Sequence, residues 1–334
     1  MIDEGGPQPA VPSPVSTGRL PPSERVQPLV DAAYARFRTN DDGANAIDYP
    51  ALAAVRRDLF GICVAGVDGE LYAVGDAEHP FTITSVAKPF VLALVCEALG
   101  ADVVRERVGV NSTGMPFDSL IAFELKADRL TNPMASAGAL ATTSLVPGAT
   151  ADARWRFILD GLSRFAGRSL ALNAGVYASA SATSQRHRGI AHLLESRGRL
   201  YADPIATTDL YTRQSCVDVT ARDLAVMSAT LADGGMNPVT RERVVDLGVC
   251  QPVLAVMATA GLYEASGDWL YAIGLPGKGG VGGGIITVAP GKGGMCAFAP
   301  PLDAAGNSVR GQLAARFLAE RLGLSLFISK PAGA

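Results

Sequence analysis

The sequence predicts an α+β protein whose antiparallel sheet is assembled from the two ends of the chain, flanked by the terminal helices, with a helical subdomain between them. Three observations carry this prediction. Apolar runs of β character lie at residues 59–75 and again at 270–299. Helix-like patterns dominate residues 86–262, and amphipathic segments stand just outside both β regions.

In chain order, residues 24–38 (ERVQPLVDAAYARFR) repeat their apolar positions at helical spacing. Residues 59–75 read as two β runs around Asp68-Gly69, a dipeptide suited to a tight hairpin turn. Helical segments follow at 86–99, 151–166, 189–196 and 220–233, the last opening with Thr220 and Asp223 in a capping-box-like start. Strand signals return at 270–275, 282–289 and 294–299, and residues 307–322 form a closing amphipathic helix. The implied organisation is a disordered Pro-rich tail at 1–23, a sheet subdomain from 24–85 and 263–325, a helical subdomain at 86–262, and a tail at 326–334.

Composition removes several function classes. The 334 residues carry a net charge of −3 with scattered arginines and no basic stripe, so no nucleic-acid partner is expected. No apolar run reaches the ~18 residues of a membrane span. The first 23 residues hold six prolines and no apolar stretch, unlike a signal peptide, so the cytoplasm is the expected location. Five well-separated cysteines (Cys63, Cys96, Cys216, Cys250, Cys296) read as buried thiols. With three histidines and neither CxxC nor HExxH, no metal or cofactor is expected.

The cationic residues are lopsided: only 5 of 29 are lysine. One of them, Lys88, follows Ser85 by three positions, so the two share a helix face one turn apart. Pro89 confines that helix start to the first turn, which sets Ser85 at the N-terminus, where free N–H groups favour developing negative charge. A serine hydroxyl is a weak nucleophile until a base takes its proton. Lysine can be that base when burial lowers its pKa, whereas arginine stays protonated. With 20 serines and 5 lysines in 334 residues, roughly 0.3 such SxxK matches arise by chance. A second element is the segment Leu275-Pro-Gly-Lys-Gly-Gly-Val-Gly-Gly-Gly284, whose glycines permit close approach and whose edge N–H offers a second oxyanion donor. The pairing is similar to that of serine β-lactamases and penicillin-binding proteins, which combine SxxK with a Lys-Thr-Gly strand.

Several further segments together resemble the serine-dependent glutaminases. They include Gly75-Asp76 and Phe81 before Ser85-Val-Ala-Lys88, Asn132-Pro-Met134 with Ala137-Gly138-Ala139, and Tyr211 before Cys216. Ala229–Gly235, Gly261-Leu-Tyr263, Gly274-Leu-Pro with Lys278 and Gly280-Val281, and Pro300-Pro-Leu-Asp303 with Gly306-Asn-Ser308 continue the match. The resemblance spans roughly residues 60–310 and implies a β-lactamase-like fold, a small-molecule amide substrate, an acyl-enzyme and a homo-oligomer. It assigns Ser85 as nucleophile, Lys88 as general base, and Tyr211 and Tyr263 to proton transfer or orientation. The backbone N–H groups of Ser85 and Val281 become the oxyanion hole, and Lys278 and Val281 join the substrate-binding set.

The chain departs from that pattern where the family reads glutamine. Ser136 and His187 stand in place of asparagines, Ala180 in place of a glutamate, Gly279 in place of a serine, and the N-terminal tyrosine expected near Gly18-Arg19-Leu20 is not found, with Ser23 or Arg25 in that neighbourhood. Losing one partner of a buried ion pair costs about 3–5 kcal/mol, a factor of about a hundred to several thousand in affinity unless another group compensates. His187 or Arg25 are the candidates for that. Three readings follow: hydrolysis of the side-chain amide of L-glutamine to glutamate and ammonia; the same acyl-enzyme chemistry on another amide or ester; or a non-catalytic ligand-binding homologue. Lys126, Lys292 and Lys330 are expected to tolerate arginine.

Overall fold

The computed structural model describes residues 18–47, 49–125, 128 and 130–328. The first layer begins with helix α1 (Ser23–Phe37), the single turn α2 (Pro50–Ala53), and strands β1 (Gly61–Gly66), β2 (Leu71–Gly75) and β3 (Phe81–Thr82). A 3-10 turn at Thr84–Val86 leads into α3 (Ala87–Leu99), followed by α4 (Ala101–Val108), α5 (Ile121–Glu124), α6 (Ser136–Ser144) and α7 (Ala151–Ala166). Next come β4 (Ala171–Leu172), α8 (Ala174–Ala182), α9 (Gln185–Ser196), α10 (Pro204–Ser215), β5 (Val217–Val219), α11 (Ala221–Ala232) and α12 (Leu247–Ala260). A second 3-10 turn at Tyr263–Ala265, α13 (Ser266–Ile273), β6 (Gly277–Gly279), β7 (Gly284–Ala289), β8 (Gly293–Phe298) and α14 (Val309–Leu322) complete the chain.

The main sheet has the order β2-β1-β8-β7-β6, with every pair antiparallel. N-terminal β1 and C-terminal β8 meet at its centre, in the register Ile62↔Ala297 and Cys63↔Cys296. Both faces are covered, so β1, β7 and β8 are buried along their whole length rather than alternating with polar residues. Ile62, Val64, Ile285 and Ala297 point to one core with Val30 of α1 and Leu318 of α14. Their neighbours Cys63, Ile286, Cys296 and Phe298 point to the other, with α3 and α11. All five cysteines are free and buried.

Most expected elements lie where the sequence predicts them, and the capping box of α11 is present: Thr220 Oγ1 accepts from Asp223 N and Asp223 Oδ2 accepts from Thr220 N. The segment 270–275, read as a strand, is instead the end of α13 and its cap. Trp269 and Ile273, four residues apart, face the core while Tyr271 is 96% exposed, and Gly274 ends the helix at φ +72°. A segment this short cannot separate the helical period from the strand period. A three-stranded sheet, β3-β5-β4, is not foreshadowed in the sequence, because strands of two or three residues carry no periodicity. Residues 1–17 and 329–334 of the expected tails, and Lys126 and Lys330, lie outside the described residues, while Leu20 packs against the sheet. Among the described residues, no single helix is long and apolar enough to cross a membrane.

Helix α11 lies across β8 and β1 at close range. A Cβ on Gly294 would stand 2.4 Å from both Ala229 N and Ser228 Cβ. Alanine ordinarily stabilises a strand position relative to glycine. Here Gly294→Ala is expected to reverse that sign and lower unfolding free energy by about 1–3 kcal/mol in urea titration, because backbone atoms of α11 must shift. An unchanged or higher stability would refute the close packing.

Candidate active site

The turn after β3 is built around a strained residue. Thr84 sits at φ +46°, a conformation costly for a β-branched side chain, and its Oγ1 accepts a hydrogen bond of 3.1 Å from Gly282 N–H. The glycines of the 280–284 run allow this approach. A Cβ on Gly280 would lie 2.5 Å from Thr84 Oγ1, and one on Gly282 would lie 2.3 Å from the Thr82 carbonyl oxygen. The Ser85 turn and the segment after β6 are therefore pinned to each other. Ser85 is the middle residue of the 3-10 turn, α3 begins at Ala87, and Pro89 falls at its third position, where a missing N–H costs little.

Lys88 points inward from the first turn of α3 and is 3% exposed. Its Nζ donates to the Met134 carbonyl at 2.9 Å. That carbonyl is fixed by Asn132, whose Oδ1 accepts from the N–H groups of Met134 and Ala135, and by Gly138, where a Cβ would come within 2.0 Å of the Asn132 oxygen. The Asn-Pro-Met and Ala-Gly-Ala segments thus position the lysine's acceptor. Burial brings Lys88 down to about 7, with the negative charge of Asp118 acting in the opposite direction.

Tyr263 lies close to Ser85. Gly261 makes this possible, since a Cβ there would stand 1.9 Å from the Gly277 oxygen of β6. The Tyr263 hydroxyl lies close enough to Ser85 to interact with it and accepts from Lys278 Nζ at 2.9 Å, and Lys278 also donates to the Gly279 carbonyl. The ring centroid lies 4.2 Å from Lys278 Nζ and 5.5 Å from Lys88 Nζ. Burial pushes the Tyr263 hydroxyl upward and Lys278 well downward, the latter helped by repulsion from Lys88.

In front of Ser85 opens a cavity of about 190 Å³ whose walls include Tyr49, Asp118, Ser136, His187, Tyr211 and Val281. Its size is below that of drug-binding pockets, as befits a small metabolite. Val281, just beyond β6, and Ser85 both border this space. Tyr211 is buried with its hydroxyl toward Ser136 and raised by that burial. His187 packs edge-on against the Tyr211 ring at 5.0 Å and is pushed down to about 4 by burial and by Lys88, so it is neutral at neutral pH.

The structure brings Ser85, Ser136, His187, Tyr211 and Val281 together around the cavity, with Tyr263 close to Ser85 and the Lys88 amine 5.5 Å from the Tyr263 ring. Two expected substrate positions differ. Lys278 is fully buried and reaches the site through Tyr263, and Ala180 is buried within α8 rather than in the cavity wall. Arg25 lies on α1, donating to the Arg321 carbonyl, and the exposed Ser23 begins that helix; neither reaches the cavity. A tyrosine does enter from the N-terminal part of the chain: Tyr49, immediately before the helix-opening Pro50. Sequence reasoning misses it because it stands some 30 residues beyond Gly18, around which the family tyrosine is expected. Asp118 and Arg186 are likewise not singled out by the sequence, as nothing in their local surroundings ties a loop after α4 to the start of α9. Lys292 is on the surface, donating to the Gly323 carbonyl.

The chain is similar to known proteins over most of its length. A family model described as Glutaminase matches residues 43–327. Glutaminase 2 of Yersinia pestis is 62% identical over 317 residues, covering 95% of this chain and 93% of that protein. A glutaminase of Brucella canis is 48% identical, covering 92% and 97%. Among solved structures, the probable glutaminase ybaS superposes with a TM-score of 0.91 at 42% identity, covering 92% of this chain and all of that one. A probable glutaminase from Bacillus subtilis, solved with 6-diazo-5-oxo-L-norleucine, gives 0.81 at 30% identity, covering 93% and 99%. A β-lactamase-like sheet from both chain ends, an SxxK turn facing a glycine-rich strand, and identity sustained over nearly the whole length lead to one assignment: the chain belongs to the glutaminase family.

Proposed function

We propose that this protein hydrolyses the side-chain amide of L-glutamine through an acyl-enzyme on Ser85. The observation that carries the reading is a partly exposed serine in the wall of a small cavity, with a tyrosine close to it and a buried lysine, brought to about 7, beside that tyrosine. Lys88 is the better base of the two neighbours, since burial holds Tyr263 protonated while leaving Lys88 half neutral near pH 7. In the reaction Lys88 accepts the Ser85 proton as Oγ bonds to the amide carbon. The N–H groups of Ser85 and Val281 stabilise the oxyanion. Collapse breaks the C–N bond, and the proton on Lys88 passes to the departing ammonia, with Tyr263 orienting Ser85 and the ammonium group. Water then attacks the ester, giving its proton to Lys88, and glutamate leaves as Ser85 regains a proton. Five free, buried cysteines support a reducing, cytoplasmic setting. A second reading, acyl transfer from a different amide or ester, is favoured by Ser136 and His187 in the wall and by the absence of a carboxylate at Ala180.

Purified protein is expected to release ammonia from millimolar L-glutamine, and Ser85→Ala to lose at least about a thousandfold in kcat/KM. An acylating probe should add mass at Ser85 only in the wild type. Hydrolysis that survives in Ser85→Ala refutes the nucleophile, and acylation of Ser85 without ammonia from glutamine refutes the substrate.

Lys88 must be neutral to accept a proton, so kcat/KM should rise with pH and reach half its plateau near pH 7. A profile flat from pH 6 to 8 would remove Lys88 as the base.

The same burial carries a stability penalty. Lys88 has a folded pKa below its unfolded value of 10.5, so the penalty is absent above pH 10.5, grows as pH falls and is complete below about 7. At neutral pH it is on the order of several kcal/mol, an upper figure for a fully buried amine. Lys88→Met is therefore expected to be inactive yet to melt at higher temperature than the wild type at pH 7, with the gap shrinking toward pH 10 in thermal scans. A lower melting temperature for the variant would contradict this.

A further inference from the structure

We propose that the Asp118–Arg186 ion pair in the cavity wall is the amino-acid head-group reader of this chain, Asp118 taking the substrate α-ammonium and Arg186 its α-carboxylate. The inference rests on the glutamine reading above and names the residues that replace the glutamate missing at Ala180. Among the described residues lining the cavity, Asp118 is the carboxylate and Arg186 the guanidinium. The remaining wall is hydroxyls, aromatic rings, apolar groups and His187, which is held neutral and so offers no charge to a carboxylate at neutral pH.

The two charges come from different elements and meet at the wall. Arg186 Nε lies 2.5 Å from Asp118 Oδ2, and its NH2 group donates to the Asp118 carbonyl at 3.0 Å. Those contacts use two of the five guanidinium donors, leaving others for a ligand. The Arg186 and Asp118 side chains are 58% and 28% exposed, and ion pairs with that access to water contribute little to stability, so a zwitterion can open this one at small cost. Inserting between them, an α-amino acid exchanges one ion pair for two of matching polarity. The Asp118 loop is anchored from both sides, since the Phe117 carbonyl accepts from Ser136 N–H at 2.7 Å and the Phe117 ring packs 5.2 Å from Tyr263. Asp118 also lies near enough to Lys88 and His187 for its charge to favour the protonated form of each. An ammonium at Asp118 therefore stands within the same small cavity as the nucleophile, as a glutamine whose amide reaches Ser85 requires.

The test compares kcat/KM for three amides on the full-length protein: L-glutamine, 4-carbamoylbutanoate, which lacks the ammonium, and 4-aminobutanamide, which lacks the carboxylate. Asp118→Asn is expected to reduce the preference for L-glutamine over 4-carbamoylbutanoate at least tenfold. Arg186→Gln is expected to reduce the preference over 4-aminobutanamide by a similar factor. Acylation of Ser85 by 4-nitrophenyl acetate, read by intact mass, reports whether each variant keeps its site. If Asp118→Asn fails that control, the more exposed Arg186 position decides alone. Ratios within threefold of wild type, with glutamine still hydrolysed, overturn the reader and leave the proposed function standing. A wild type that is acylated by the ester but hydrolyses the amides lacking a head group better than glutamine overturns the glutamine reading and the reader together.

Discussion

The amine of Lys88, carried into the interior against a backbone carbonyl rather than a carboxylate, is the constraint around which the site is arranged. A charged ammonium in such a place is strongly disfavoured, so the group yields by releasing its proton more easily and by bonding to that carbonyl. Everything that fixes Met134 follows from this need: the Asn132 side chain that ties the loop, the glycine at 138 that lets α6 approach it, and the first turn of α3 that aims the lysine inward. A methionine would fill the same space without burying an amine.

The second lysine in the interior repeats the logic one layer out. Lys278 is more deeply buried than Lys88 and is held by the Tyr263 hydroxyl and the Gly279 carbonyl. Repulsion from Lys88 adds to burial in lowering Lys278, and the Tyr263 ring lies 5.5 Å from the first amine and 4.2 Å from the second. The glycine-rich strand end serves this arrangement through contact distances rather than flexibility. At Gly280 and Gly282 a methyl group would collide with the Thr82–Thr84 backbone and side chain, separating the Ser85 turn from Val281. Strain at Thr84 is held in place by the bond from Gly282, so the Ser85 turn and the strand end are set by a single joint.

Much of the fold was legible because its long elements carry their own period. The hairpin at Asp68-Gly69, the capped start of α11 and the amphipathic α14 each announce themselves in adjacent residues. The misread segment 270–275 shows the limit: a helix end and a strand of six residues look alike until Trp269 finds the Leu275 carbonyl and Tyr271 turns to solvent. Lys278 illustrates another limit. Its place near the Ser85 turn follows from its strand, yet its burial beside Tyr263 follows from the Gly261–Gly277 contact, 16 residues apart in sequence.

The sequence by itself determined the α+β architecture and the Ser85–Lys88 pair, because helix geometry brings residues three apart onto one face regardless of what surrounds them. It also marked Ser136, Ala180 and His187 as departures, since each stands at a recognisable position in a motif. Only the tertiary structure decided what fills the cavity instead. Tyr49, Asp118 and Arg186 come from three distant stretches, and whether Lys88 is a neutral amine depends on how completely those stretches exclude water from it. Charge and burial at the site are properties of the assembled shell, and no local spacing encodes them.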